Sequence, residues 1–155
     1  MTRTDLPIRR AREEDAPAIA ALIAAHAARG QLVPRTAEEV AIRTADFLVA
    51  GSGGELAGCV HLDEFSPSLA EIRSLATGGA ENDPALERRL VEAAEKLAAK
   101  REYATIFTVT NDEDLFRARG YEPTEIPELR AQRAEIDRFR AVLARDLKRS
   151  NKKRG

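Results

Sequence analysis

Leu69-Ala-Glu-Ile-Arg-Ser-Leu-Ala76 reads as a strand, and it leads into Pro84-Ala-Leu-Glu-Arg-Arg-Leu-Val-Glu-Ala-Ala-Glu-Lys-Leu-Ala-Ala-Lys100. The second run is a long amphipathic helix: Leu86, Leu90, Val91, Ala94 and Leu97 recur at helical spacing, and Pro84 stands at its first position behind Asp83 or Asn82 as N-cap. A strand followed by a helix long enough to cross over implies a parallel neighbour, which the apolar run Ala104 to Val109 supplies. Upstream, Ile8 to Ala11 reads as a short strand. Ala16 to Arg29 reads as an Ala-rich helix with Ile19, Leu22, Ile23 and His26 on one side, ended by Gly30. Gln31 to Arg35 is a loop. Thr36 and Glu39 form a capping box that opens a second helix. Asp46 to Ala50 and Leu56 to Phe65 are strands separated by the turn Gly51-Ser-Gly-Gly54, and Ser66-Pro67 marks a further break. Downstream, Asp112 to Arg119 is a short helix ended by Gly120, and Tyr121 to Ile126 is a closing strand. Pro127 to about Arg149 carries Leu129, Ile136, Phe139, Leu143 and Leu147 as one helical stripe. Meandering strands followed by crossovers predict an α/β fold: a mixed sheet flanked by helices, with an extra C-terminal helix. The division expected is a body of residues 1–126 and a basic amphipathic helix and tail of residues 127–155.

The chain has 155 residues, 43% hydrophobic and 33% charged, which excludes disordered and collagen-like classes. The single cysteine, Cys59, rules out an internal disulfide framework or a cysteine-based zinc site and fits a reducing compartment. The longest run free of charge, Ala16 to Ala28, is too short for a bilayer span of about 20 residues, and Met1-Thr-Arg-Thr-Asp5 lacks an apolar signal core. A cytoplasmic protein without membrane contact is therefore expected. A net charge of −1 conceals an asymmetry: ten Lys/Arg face four Asp/Glu from Pro127 onward, against 15 and 22 before it. An acidic body thus carries a basic tail, whose stripe must bury against its own sheet or in a homodimer. Nucleic acid is not the expected partner, because no aromatic platform or recognition helix is visible.

Five dispersed segments then carry a resemblance: Gly30-Gln-Leu-Val-Pro-Arg35-Thr36, Phe47-Leu-Val49, Gly58-Cys59, Ala70 to Ala76, and Phe116 to Tyr121. In order and spacing they resemble the GNAT superfamily of N-acetyltransferases, in its amino-acid acetyltransferase branch related to N-acetylglutamate synthase. The resemblance covers residues 6–126. It implies direct transfer of an acetyl group from acetyl-CoA to a primary amine. It further implies that the strand before the long helix splays from its neighbour and grips the pantetheine arm, with Leu75, Ala76 and Thr77 where acyl-CoA contacts begin. By the same likeness Glu71 is the base for the amine proton. Arg35 and Arg73 bind a substrate carboxylate, so the small-molecule partner is a carboxylate or an amine.

The resemblance fails locally. The family's diphosphate motif, R/Q-x-x-G-x-G/A, places small residues where an anion meets the first amides of a helix. Here Asn82 takes the basic position, and Asp83, Ala85 and Glu87 take the small ones. An N-capping Asp83 consumes an amide proton, Pro84 has none, and Asp83 and Glu87 add negative charge. At about 7 Å and an effective dielectric of about 20, each repulsion is ~2 kcal/mol before screening. Arg88 and Arg89, one turn in, are the compensating cations. Phe116 stands where family members commonly carry a tyrosine that protonates the thiolate, a change the glutamate-acetylating branch itself tolerates, and Ala24 where that branch often carries an arginine. The expected function is accordingly a weakly active or non-catalytic relative that binds a carboxylate-bearing small molecule or a protein partner. The alternatives are an active amino-acid N-acetyltransferase using acetyl-CoA as co-substrate, and an adaptor working through the basic tail.

Cys59, His61 and Asp63 alternate along one strand, but a triplet on a single strand is poor ligand geometry, and no metal is expected. His26 reads as a boundary residue of its helix.

Overall fold

A computed structural model describes residues 6–28, 32–52, 55–78, 83–133 and 140–147. The chain runs β1 (Ile8–Arg10), a 3-10 turn at Glu13–Asp15, α1 (Ala16–Ala27), α2 (Ala37–Ala41), a second 3-10 turn at Thr44–Asp46, β2 (Phe47–Ser52), β3 (Glu55–Ser66) and β4 (Leu69–Thr77). It continues through α3 (Pro84–Lys100), β5 (Thr105–Thr110), α4 (Glu113–Arg117), β6 (Glu122–Pro123), α5 (Pro127–Gln132) and β7 (Ala141–Asp146). Seven strands form one sheet in the order β1-β2-β3-β4-β5-β7-β6. Only β4 and β5 run parallel, and α3 connects them. The sheet is therefore mixed and flanked by helices, as the element pattern predicts.

Alternation along the strands sorts the core into two layers. Leu48, Val60, Leu62, Ala70 and Ile72 meet the α3 stripe of Leu86, Leu90, Val91, Ala94 and Leu97. Their neighbours Phe47, Val49 and Cys59 meet Ile19 and Ile23 of α1 and Val40 of α2. Gly58 is where α3 comes closest: a Cβ there would lie 2.9 Å from Leu90 Cδ1 and 3.1 Å from the Ala76 carbonyl oxygen. The Thr36 capping box forms as read, while the Gly30 cap lies outside the described residues. Thr36 Oγ1 accepts from the Glu39 amide while Glu39 reaches back to the Thr36 amide.

The C-terminal segment differs from the expectation. No helix runs from Pro127 to Arg149; α5 ends at Gln132, and Ala141–Asp146 is an inner strand paired antiparallel with β5 and with β6. The closing strand expected over residues 121–126 shortens to Glu122–Pro123 at the sheet edge. The physical reason is the partner strand: β5 needs a neighbour on its far side, and Leu143, fully buried, fills the core beside it. Leu129 and Leu143 are thus interior residues of the monomer, and the single amphipathic helix proposed as a dimer interface does not exist; Ile136 and Phe139 lie outside the described residues. Among the described residues no helix is long and apolar enough to cross a membrane.

Candidate active site

One irregularity in β4 builds the site. Ser74 adopts φ +54°, left-handed for a non-glycine, and the β3–β4 register slips between the pairs Cys59–Ala76 and His61–Arg73. The extra residue on β4 is a bulge that reverses which face each later side chain meets. Ala70 and Ile72 contact the α3 layer, whereas beyond Ser74 it is Ala76 that joins the α1 layer and Leu75 that packs toward α3. Parallel pairing of β4 with β5 ends at Ile72–Thr108, although both strands continue. Thr108 Oγ1 donates to the Ile72 carbonyl at 3.2 Å, at the point where the strands part. Beyond it opens a cleft of about 170 Å³ between the two strands, walled by Arg73, Ser74 and Leu75 on one side and Thr108 to Asp112 on the other.

A second cavity of about 180 Å³ shares Leu32, Ile72, Arg73, Ser74, Val109 and Arg140 with this cleft, and it gathers Arg35, Glu71 and Arg133. The three residues assigned from sequence to base and carboxylate binding, Glu71, Arg35 and Arg73, thus line one cavity. Glu71 is 2% exposed, and both its oxygens are taken by the Arg133 guanidinium, at 2.5 and 2.7 Å. Arg73 donates to Asp63 at a loose 3.4 Å. Burial lowers the Arg73 pKa, with the charges of Arg133 and Arg35 adding to the effect and Glu71 and Asp63 opposing it. Among the described residues four guanidinium groups and one carboxylate line this cavity, a lining suited to an anion with planar oxygen pairs.

Toward α3 the polarity reverses. Asp83 caps the helix, its Oδ1 accepting from the Leu86 amide at 3.2 Å, and its own amide donates to Thr77 Oγ1 at 3.0 Å. Pro84 follows, as predicted. Glu87 is not turned out to solvent; it is 6% exposed and lines the cleft together with Asp112. Its pKa is raised to about 7 by burial first, then by Asp112 and Asp83. Of the residues assigned to the acyl carrier, Leu75 lines the cleft, Ala76 is buried in the α1 layer, and Thr77 is buried at the start of the loop. Arg88 is exposed, and Arg89 donates to the Leu6 carbonyl at 2.9 Å; neither lines the cleft. His26 is a cleft residue rather than a boundary one: its Nε2 lies 2.9 Å from the Thr77 carbonyl oxygen and 3.2 Å from the Thr77 amide. A neutral ring serves one of those groups at a time.

Phe116 also lines the cleft, 2% exposed and edge-on to Tyr121. His61 stacks on Phe47 with ring centres 4.4 Å apart, and among the described residues neither of its nitrogens has a hydrogen-bond partner. No cluster of metal-ligand residues occurs among the described residues. Arg133 and Arg140 were missed in the sequence, where both sat in an apparent basic tail. The signal available was the charge asymmetry, which marks the tail as a partner for the acidic body without saying which residues meet.

Comparison with known proteins follows the same lines. An N-acetyltransferase of Chlorobaculum tepidum, itself uncharacterised, is 32% identical over 125 residues, spanning 81% of each chain. No family model matches the sequence. Among solved structures, N-acetylglutamate synthase from Neisseria gonorrhoeae, complexed with coenzyme A and N-acetyl-glutamate, superposes with TM-score 0.81 and 28% identity. It covers 92% of this chain, which spans only 35% of that one. A Mycobacterium tuberculosis protein in complex with CoA and NLQ, 20% identical, has the same fold, with TM-score 0.76 over 90% of this chain and 98% of the other.

Proposed function

Because the chain belongs to the GNAT superfamily of N-acetyltransferases, we propose that it acetylates the amine of a small carboxylate-bearing acceptor, glutamate-like in charge, with a weakened hold on acetyl-CoA. The observation that carries the acceptor class is the convergence of Arg35, Arg73, Arg133 and Arg140 on the cavity that holds Glu71 and opens into the β4–β5 cleft. Arg35 and Arg73 bind and orient the carboxylate. Glu71, fixed in one rotamer by Arg133, receives the amine proton directly or through a water. The gonococcal synthase, complexed with CoA and N-acetyl-glutamate, supports the pairing of a CoA arm with an acidic amino-acid product on this fold.

Two parts of the site fit acetyl-CoA unequally. The opened strand edge from Ser74 to Thr77 supports an amide-bearing acyl arm, with Leu75 on the cleft wall, Thr77 at its end and Ala76 behind it. The first turn of α3 offers a diphosphate little: the Leu86 amide is spent on Asp83, Pro84 has no N–H, and Glu87 and Asp112 lie close by. A loss of ~3 kcal/mol there weakens binding by roughly two decades. Those same features favour a second reading, a non-catalytic binder of the carboxylate.

Calorimetric titration decides between them. Acetyl-CoA is expected to bind at roughly 100 µM, and glutamate with acetyl-CoA to release thiol. No binding at millimolar acetyl-CoA, with carboxylate affinity retained, establishes the non-catalytic reading instead. Absence of both overturns the proposal.

A further inference from the structure

Glu71 has a task that its own partner opposes. It must meet the acceptor nitrogen, yet both of its oxygens are taken by the Arg133 guanidinium, at 2.5 and 2.7 Å, and the two side chains are only 3% and 18% exposed. Bidentate pairs of this kind are strong, and removing one member of a buried pair strands the other charge away from water. Near neutral pH an acceptor amine arrives mostly as ammonium. It can take an oxygen of Glu71 only if the N–H group it displaces finds another anion.

Among the described residues that line the cavity, Glu71 is the only carboxylate, so the lining itself supplies no such anion. The acceptor must bring it. In an α-amino acid, bond lengths place the ammonium nitrogen about 2.7 Å from the nearer oxygen of its own carboxylate. That spacing matches the contacts between Arg133 and Glu71. An α-amino acid set against the pair therefore completes an alternating row of guanidinium, carboxylate, ammonium and carboxylate. One ion-pair contact is given up and two are gained.

Building on the acetyltransferase reading, we infer that Arg133 determines acceptor specificity as an exchangeable counter-ion of Glu71. The ammonium of an α-amino acid takes one Glu71 oxygen, and its α-carboxylate takes the N–H group of Arg133 thereby released. No proton moves in this exchange. Arg133 keeps the second Glu71 oxygen, so the rotamer of the base is preserved. The main chain of Arg133 stays anchored while its side chain pivots: its amide donates to the Leu129 carbonyl at 2.9 Å, and Leu129 is buried. Arg35 and Arg73 hold a carboxylate farther along the acceptor, so an acidic amino acid satisfies all three arginines. An amine without an α-carboxylate leaves Arg133 short of a partner, and an acid without an amine sets a second carboxylate against Glu71. Both are rejected by charge left unpaired rather than by shape.

Calorimetry on wild type, Arg133→Met and Arg133→Lys with three ligands tests the exchange: glutamate, 4-aminobutyrate, which lacks the α-carboxylate, and glutarate, which lacks the amine. Wild type is expected to prefer glutamate over each of the others by roughly 100-fold. In Arg133→Met, glutamate affinity should fall by about that factor, while 4-aminobutyrate binds equally well or better because Glu71 has lost its competing cation. Arg133→Lys, which keeps a charge but not the fork, should retain a preference of roughly tenfold, and it carries the comparison if Arg133→Met does not fold. A merely structural arginine would weaken all three ligands together, and that result overturns the role. So does a wild type that binds 4-aminobutyrate as tightly as glutamate, or a Lys variant whose preference equals that of wild type. Wild type that binds none of the three and releases no thiol from acetyl-CoA refutes the acetyltransferase reading itself.

Discussion

His61 is a buried ring whose nitrogens have no partner among the described residues, and the protein keeps it neutral. Its pKa is lowered from 6.5 to about 4 by burial, against the raising effect of Asp63 and Asp46 and with a further lowering from Arg73 and Arg35. The unfolded chain binds the proton as pH falls through 6.5, the folded one only near 4. The associated stability is therefore complete above pH 6.5 and is lost on acidification between those values, by roughly 2–3 kcal/mol. Urea unfolding of His61→Phe at pH 7, 5.5 and 4.5 should show that loss much reduced relative to wild type; an equal loss in both proteins would assign the acid sensitivity elsewhere. Glu87 acts in the opposite sense. Its raised pKa means that stability present below pH 4.5 is lost as pH rises toward 7, so the two residues partly offset each other between 4.5 and 6.5. Neither behaviour is legible in the sequence. A histidine on an alternating strand and a glutamate on a helix look the same whether solvated or enclosed, and only their neighbours decide.

Among the elements, α3 is the one read most completely from sequence. Its limits, Pro84 and Lys100, and its cap at Asp83 follow from local chemistry: a proline at the first position, a carboxylate accepting the Leu86 amide, and an apolar stripe at helical spacing. Under the proposed function the same cap that starts the helix also opposes a diphosphate there, and the two effects are separable. Asp83→Asn keeps a side-chain oxygen of equal capping strength and removes the charge. Its affinity for CoA should rise severalfold, up to roughly tenfold at low salt, while its melting temperature stays close to wild type. A CoA affinity unchanged by the substitution would mean that Asp83 does not face the diphosphate. In β4, by contrast, Glu71 and Arg73, two residues apart, line one cavity, but nothing about Ser74 marks it as the left-handed residue of a bulge. That conformation is held by pairing with β3 and by the parting of β4 from β5, which are contacts between elements.

At the scale of the molecule, two arginines of the basic C-terminal segment pair with carboxylates of the acidic body. Arg133 meets Glu71, and Arg145 joins Arg119 and Tyr121 on the buried Glu95. Deleting residues 127–155 therefore removes the strand between β5 and β6 together with two of the four arginines that line the cavity around Glu71. Circular dichroism melting of the truncated chain should show loss of cooperative unfolding, and calorimetry should show no carboxylate binding. A truncated protein that melts normally would mean that the sheet closes without β7. The sequence by itself determined the mixed α/β class, the limits of α3 and the Thr36 capping box. Each of these depends on spacing within a few residues. Tertiary structure alone decided that Ala141–Asp146 is a strand, although its alanine, leucine and arginine favour a helix. The decisive interactions are antiparallel hydrogen bonds to Thr105–Thr110 and the burial of Leu143, made with residues more than thirty positions away. It likewise decided the Ser74 bulge, the enclosure of Glu87, and the arrival of Arg133 and Arg140 at the site, because those depend on which strands become neighbours.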